Sequence, residues 1–245
     1  MTVSKKYRYM DLLRSDEFAA SMLAYVKNLL APVDSLSKSG VSLPFRSRFA
    51  HTERVTEWAL RLSEAEGGDM GVISVAAIFH DSGYAYGGDG HACRSASVFD
   101  AYAAELLRAD NFSPAAPIPR GAGIARAIHN AVFTAESRDK IKEAISVHSS
   151  KDLPFQAVGA EAAILMDADM LDEAGAMKVL FDAFCETSEP GYDYRSAYER
   201  ILAQYNADAD EAGRYHTREG RRQYLKMRRY VGGFIRCLGD ELGAG

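Results

Sequence analysis

The stretch MGVISVAAIFHDSG, residues 70–83, decides how this chain folds. Met70 to Phe79 is almost wholly apolar and shows no alternation, so it reads as a helix buried on all sides. Asp69 stands where an N-cap belongs, and Gly83 where a glycine can close the helix. The run ends on His80 and Asp81, two titratable groups at the edge of a core. An unpaired buried charge costs several kcal/mol, so this pair needs partners.

Working outward, the period stays helical. DEFAASMLAYVKNLL (16–30) carries Phe18, Met22, Leu23, Val26, Leu29 and Leu30 on one stripe. A helix beginning near Phe49 places His51, Val55, Trp58, Ala59 and Leu62 on one side and stops at GGD (67–69). Further helices are expected at about 92–109, 121–133, 138–148, 157–174, 176–187 and 194–205. A final one, within 218–242, has Tyr224, Met227, Val231, Phe234, Ile235, Leu238 and Leu242 as its apolar stripe. Only AISVHSS is ambiguous. About ten helices without a sheet predict an all-α fold. The Pro-rich loop at 114–119 is too short for a domain boundary, so residues 1–245 are expected to form one domain, with a core at about 45–187.

Composition narrows the function. A net charge of −5 disfavours a protein built to grip nucleic acid or anionic membrane. Three scattered cysteines, Cys93, Cys185 and Cys237, make neither a disulfide framework nor a thiolate zinc site. No apolar run approaches the roughly 20 residues of a membrane span. A cytoplasmic protein is the expectation. The basic stretch 214–230 contains Arg218, Arg221, Arg222, Lys226 and Arg229, which read as the wet side of the last helix.

The partners of His80 and Asp81 have to come from elsewhere in the chain. His51 lies on an apolar helix face. In EAAILMDADMLDEAGAM (161–177), Asp169 shares a face with Ala162, Leu165, Met166 and Ala176, and Asp167 shares one with Ala163, Ile164, Met170 and Leu171. At least one of these carboxylates should point inward, and no Lys or Arg lies within 161–177 to meet it. Two imidazoles and two carboxylates around a divalent ion satisfy all four groups at once. This donor set suits Mn, Fe, Co, Ni or Zn, and Mg where water completes the sphere.

These residues carry a resemblance. FAHTERVTEWALRLSE, VISVAAIFHDSGY and ILMDADMLDEAGAM are similar, in this order, to the H-x-x-R-V, A-A-x-x-H-D-x-G and D-A-D-x-L-D-x-x-G-A motifs of the HD-domain superfamily of metal-dependent phosphohydrolases. The resemblance covers about residues 45–240. It implies an all-α fold and a metal held by His51, His80, Asp81 and Asp169, with Asp167 as the alternative to Asp169. GHACRSASVFDA and AISVHSS resemble two further histidine segments of one subgroup, which implies roles for His91 and His148 as proton shuttles or as ligands of a second ion.

The implied activity is hydrolysis of a phosphoester or phosphoanhydride of a nucleotide or other small phosphorylated metabolite, with Asp81 orienting the attacking water. A cyclic nucleotide phosphodiesterase and a non-catalytic regulatory domain are the alternatives. Arg48, Arg54 and Lys151 are the candidates for substrate phosphates, and a homodimer is compatible with the pattern. Two features depart from the subgroup. Met170 fills a slot often held by Arg, and the H-D-G-Y-P signature of cyclic-dinucleotide phosphodiesterases is absent.

Overall fold

A computed structural model describes residues 8–37, 42–43, 45–109, 123–150, 153–154, 157–185 and 191–244. Among them are eleven α-helices and no strand. These are α1 (Arg8–Ser15), α2 (Glu17–Leu30), α3 (Arg48–Glu66), α4 (Met70–Phe79), α5 (His91–Arg108), α6 (Gly123–Phe133), α7 (Ala135–Val147), α8 (Ala160–Asp172), α9 (Ala176–Phe184), α10 (Tyr194–Ala207) and α11 (Arg218–Glu241). The all-α expectation holds. The Pro-rich loop at 114–119 and Lys151 lie outside the described residues.

Helix α4 is the axis of the core. Every residue from Gly71 to Phe79 is buried, and α3, α6, α7 and α8 pack around it. Asp69 caps it as expected, its carboxylate accepting from the N–H groups of Gly71 and Val72. Burying side chains such as Ile73, Ile78 and Phe79 stabilises the fold by about 1.5–3 kcal/mol each. Ala176, near the end of the acidic segment, belongs to α9 instead of continuing the face of α8, because the helix stops at Asp172.

The end of α4 differs from expectation. Gly83 does not close the helix: its backbone φ is not positive. Helical geometry runs through His80, and Asp81 then turns the chain into a 3-10 segment, Ser82–Tyr86. Gly83 is needed for close approach instead. A Cβ there would lie 2.2 Å from the His91 carbonyl oxygen and 2.7 Å from the Ser95 nitrogen. Its N–H donates to Ser95 Oγ at 2.8 Å. Gly83→Ala therefore forces α5 away from the turn. We expect a loss of about 3 kcal/mol, read as a lowered Tm or denaturation midpoint.

The C-terminal part packs around a smaller cluster, Val179, Tyr198, Ile201, Val231 and Ile235, on helices α9, α10 and α11. Arg218, Arg221, Arg222, Lys226 and Arg229 are exposed on α11, as the pattern predicts. Phe234 is a correction: it is 42% exposed. It adjoins Ile235 in sequence, and only the Val231–Ile235 face meets the cluster. Among the described residues, no helix is long and apolar enough to cross a membrane.

Candidate metal centre

Five helix-borne positions converge at one end of α4. His51 comes from α3, His80 and Asp81 from the end of α4 and its turn, His91 from the first position of α5, and His148 from the C-terminal end of α7. Asp169 and Asp172 come from α8, which packs along α3. Helices that meet at their ends can thus bring together residues more than a hundred positions apart.

The histidines are held in one tautomer. The Nδ1 of His80 donates to the Ala77 carbonyl at 2.8 Å, that of His148 to Ile145 at 2.6 Å, and that of His91 to Gly88 at 3.1 Å. A carbonyl only accepts, so in each neutral ring Nε2 carries the lone pair. His51 Nδ1 lies 2.7 Å from Asp172 Oδ2, which orients its ring in the same way. All four Nε2 atoms then face one another or a carboxylate. His51 and His80 Nε2 are 3.4 Å apart, and His91 and His148 Nε2 3.3 Å. Asp169 Oδ1 is 3.2 Å from His51 Nε2 and 4.0 Å from His80 Nε2.

Asp81 lies between the two histidine pairs. Its Oδ2 is 3.7 Å from His51 Nε2, while its Oδ1 is 3.7 Å from His80, 3.4 Å from His91 and 3.5 Å from His148 Nε2. Two donor triads result, His51–His80–Asp81 and Asp81–His91–His148, each with its ligand atoms within 4.8 Å of one another. Lone pairs facing lone pairs repel, and a cation between them removes the conflict. Metal–ligand bonds of about 2.0–2.2 Å place neighbouring donor atoms about 3–3.5 Å apart, close to the spacings here. The donor set therefore fits a divalent ion.

The electrostatics agree. Burial pushes the His80 pKa down to about 4, so its ring is neutral at neutral pH. Burial opposes ionisation of Asp81, yet the surrounding imidazoles, His80 foremost, hold its pKa well below the ordinary value. Burial also opposes charge on His51, but hydrogen bonds to Asp169 and Asp172 outweigh it and raise its pKa well above the usual value. The surroundings that favour a proton there favour any cation, and the two compete for the same lone pair.

Asp167 makes its hydrogen bonds elsewhere. It is fully buried and accepts from the backbone N–H groups of His216 (2.8 Å) and Thr217 (2.7 Å) and from the Thr217 hydroxyl (2.7 Å). It anchors the start of α11, with His216 Nδ1 3.5 Å from its Oδ1. Asp167→Ala leaves those buried donors unpaired, which should cost about 3 kcal/mol of stability. Metal stoichiometry should stay unchanged in that variant and fall in Asp169→Ala. Elemental analysis and thermal melting of both variants check this pair of outcomes.

The basic candidates need correction. Arg48 is 1% exposed; its Nη2 donates to the Leu36 carbonyl and its guanidinium lies over the Tyr84 ring at 3.8 Å. Tyr84 in turn stacks on His91, with ring centroids 4.2 Å apart. Arg48 thus supports the ring behind His91 and does not line the cavity above the site. Arg54 is engaged with Asp172, through Nε at 2.6 Å and Nη2 at 2.9 Å. It secures the carboxylate that holds His51, which is a positioning task. Lys151 lies outside the described residues.

A cavity of about 260 Å³ opens onto Asp81, His91, His148 and Asp169. Arg46, 3.9 Å from Glu173, and Lys178, held by both Asp182 oxygens at 2.7 Å, are its cationic walls, and Glu173, Asp208, Glu211 and Met170 also line it. Lys178, Asp172 and Tyr84 were not singled out by the sequence. Asp172 had a signal, since it stands three residues after Asp169 on one helix face. Lys178 and Tyr84 had none, because only the packing of α9 and the turn after α4 brings them to the site.

The comparisons with known proteins agree with this fold. The profile of the family described as HD domain matches residues 48–174, just over half of the chain. YpgQ of Bacillus subtilis aligns over 95% of this chain at 16% identity with a TM-score of 0.50 in two structures, covering 94% and 95% of that protein; one of them is a complex with ADP. A protein from Lactobacillus plantarum aligns over 96% of this chain and 98% of its own at 19% identity, with a TM-score of 0.56. Identities this low establish likeness of fold alone. No curated protein sequence matches the chain.

Proposed function

This chain belongs to the HD-domain family, and on that basis we propose that it is a metal-dependent phosphohydrolase acting on a nucleotide or other small phosphorylated metabolite. One observation carries the proposal: four imidazole Nε2 lone pairs of fixed tautomer converge on the single carboxylate Asp81. We read His51, His80, Asp81 and Asp169 as the ligands of one divalent ion. His91 and His148, with Asp81 shared, are read as the ligands of a second. Their Nε2 atoms face each other, which favours ligation over the proton-shuttle role.

A divalent ion held there polarises a phosphoryl oxygen and makes water a stronger nucleophile at neutral pH. The protein groups have separate tasks. Asp81, ionised and buried, accepts a hydrogen bond from the attacking water and so aligns it. Arg46 offsets part of the charge of the phosphate in the cavity, while Lys178, held by Asp182, adds positive charge at the wall. Asp172 and Arg54 keep the His51 ring in place, and Tyr84 keeps that of His91. Water adds to phosphorus, the bond to the leaving oxygen breaks, and the water proton is passed on to the leaving oxygen or the solvent.

The ADP bound to YpgQ supports a nucleotide as the phosphorylated partner. Three free cysteines, two of them exposed, support a reducing compartment such as the cytoplasm. The site and the C-terminal helices are read as one HD-type unit spanning 1–245.

The test is metal content together with turnover. Reconstituted protein should retain one to two equivalents of a divalent ion and release phosphate or pyrophosphate from at least one member of a panel of nucleotides, phosphomonoesters and cyclic nucleotides. Retention below about half an equivalent sinks the metal reading. Metal without any turnover points to a regulatory domain.

A further inference from the structure

The metal cavity does not end at the metal ligands. Beside it lies a second hollow of about 180 Å³, and the two share Arg46, His51, Glu173 and Lys178 as walls. Five apolar side chains, Phe45, Met177, Leu180, Phe181 and Phe184, line it beside Ser47 and the Arg54–Asp172 pair. Four of these, Phe45, Met177, Leu180 and Phe184, are 42% to 50% exposed, among only eleven large hydrophobic side chains so exposed in the described residues. Concentrating exposed apolar groups in one hollow disfavours the free state unless something covers them. Four of the five come from α9 positions 177, 180, 181 and 184, spaced to share one helix face.

The aromatic walls pack against one another. Phe45 meets Phe181 edge to face, with centroids 5.9 Å apart and planes at 70°, and meets Phe184 at 5.5 Å and 59°. The Arg46 guanidinium lies over the Phe181 ring at 5.8 Å. Arg46 therefore stands at the junction, with one cavity holding the metal ligands and the other the aromatic walls. A substrate with a phosphate at one end and an aromatic ring at the other matches both halves: phosphate toward Arg46, ring among the phenylalanines.

We propose that this aromatic hollow is a substrate subsite, in which Phe45, Phe181 and Phe184 select phosphorylated compounds that carry a planar ring, such as a nucleobase, over sugar phosphates and inorganic polyphosphates. The proposal rests on the phosphohydrolase reading for the identity of the metal cavity. Phe45, Phe181 and Phe184 determine specificity here; they are remote from the bond that breaks and contribute ground-state binding.

The test pairs ligands that differ only in the ring. Binding of AMP and of ribose 5-phosphate to the full, metal-loaded chain is measured by calorimetry, for the wild type and for Phe181→Ala and Phe184→Ala. Thermal melting and the conservative Phe184→Tyr variant control for folding. Release of phosphate or pyrophosphate from ATP and from inorganic triphosphate is followed in parallel.

The wild type should prefer AMP by about ten-fold or more, as expected when an aromatic ring is buried against others. Each alanine variant should lose most of that preference while ribose 5-phosphate binding changes by less than about two-fold, and Phe184→Tyr should keep it. With ATP, KM should rise in the alanine variants and kcat stay near the wild-type value.

Equal affinity for the two ligands in the wild type, or equal losses for both in the variants, overturns the subsite. A variant that shifts the sedimentation behaviour and leaves ligand preference at unity overturns it in favour of a second copy of the chain as the covering surface. Preference for AMP without hydrolysis of any ester keeps the subsite and removes the phosphohydrolase reading. Hydrolysis with no preference does the reverse.

Discussion

Asp81→Ala should abolish metal binding at both histidine pairs at once. Its Oδ1 lies within 3.4 to 3.7 Å of His80, His91 and His148 Nε2, and its Oδ2 3.7 Å from His51. No other side chain among the described residues belongs to both donor triads. The variant leaves four convergent imidazole Nε2 atoms with a single anionic donor, Asp169. Hydrolysis should fall by about a thousand-fold or more, equivalent to about 4 kcal/mol of barrier. Elemental analysis separates this from misfolding: a folded protein that still holds wild-type metal refutes the shared role of Asp81. His148→Ala makes the useful contrast. It should lose one of the two ions and keep the His51–His80–Asp81–Asp169 group intact.

Asp172→Ala should damage both stability and metal affinity without removing any ligand of the proposed ions. Asp172 is almost fully buried and holds two partners, His51 Nδ1 at 2.7 Å and the Arg54 guanidinium at 2.6 and 2.9 Å. Burial opposes its ionisation, yet hydrogen bonds from His51 and Arg54 keep its pKa below the usual carboxylate value. Removing one side of a buried ion pair costs about 3–5 kcal/mol. The Arg54 side chain is 24% exposed and can recover part of its hydration, so about 2–3 kcal/mol is expected. The freed His51 ring also loses the acceptor that fixes its tautomer. Metal affinity should therefore drop by about 10- to 100-fold, the usual range when an outer carboxylate is lost from a ligating histidine. Chemical denaturation of the metal-free protein and competitive metal titration measure the two effects separately. Asp172→Asn can still accept from Nδ1 and should recover much of the affinity. An Asp172→Ala protein with unchanged affinity refutes the positioning role.

The helices were legible because each depends on local spacing. The Met70–Phe79 run is apolar on every side, and such a run has one stable place, the centre of a helical core; the structure surrounds it with α3, α6, α7 and α8. The convergence of His51, His80, Asp81 and Asp169 could also be anticipated. Each is a polar group on an otherwise buried face, and polar groups in cores are rarely left alone. Motif order, shared with the family, preferred Asp169 over Asp167.

Other features were illegible because their cause is non-local. Asp167 and Asp169 look equally inward from their own helix; what separates them is the start of α11 fifty residues later, whose N–H groups claim Asp167. Arg54 reads as a cation free for phosphate until α8 brings Asp172 against it. Arg48 likewise reads as a phosphate candidate until Tyr84 covers its guanidinium. Gly83 reads as a helix terminator, and only the approach of the His91 carbonyl shows that it is there to leave room. The sequence by itself determined the all-α class, the buried α4 and the residue types able to hold an ion, since burial patterns and donor chemistry are written in short spacings. Tertiary structure alone decided which carboxylate faces the histidines, that Asp81 lies between two pairs, and which cations reach the cavity. Those outcomes depend on helix ends meeting across the core, and no local pattern records where a distant helix will dock.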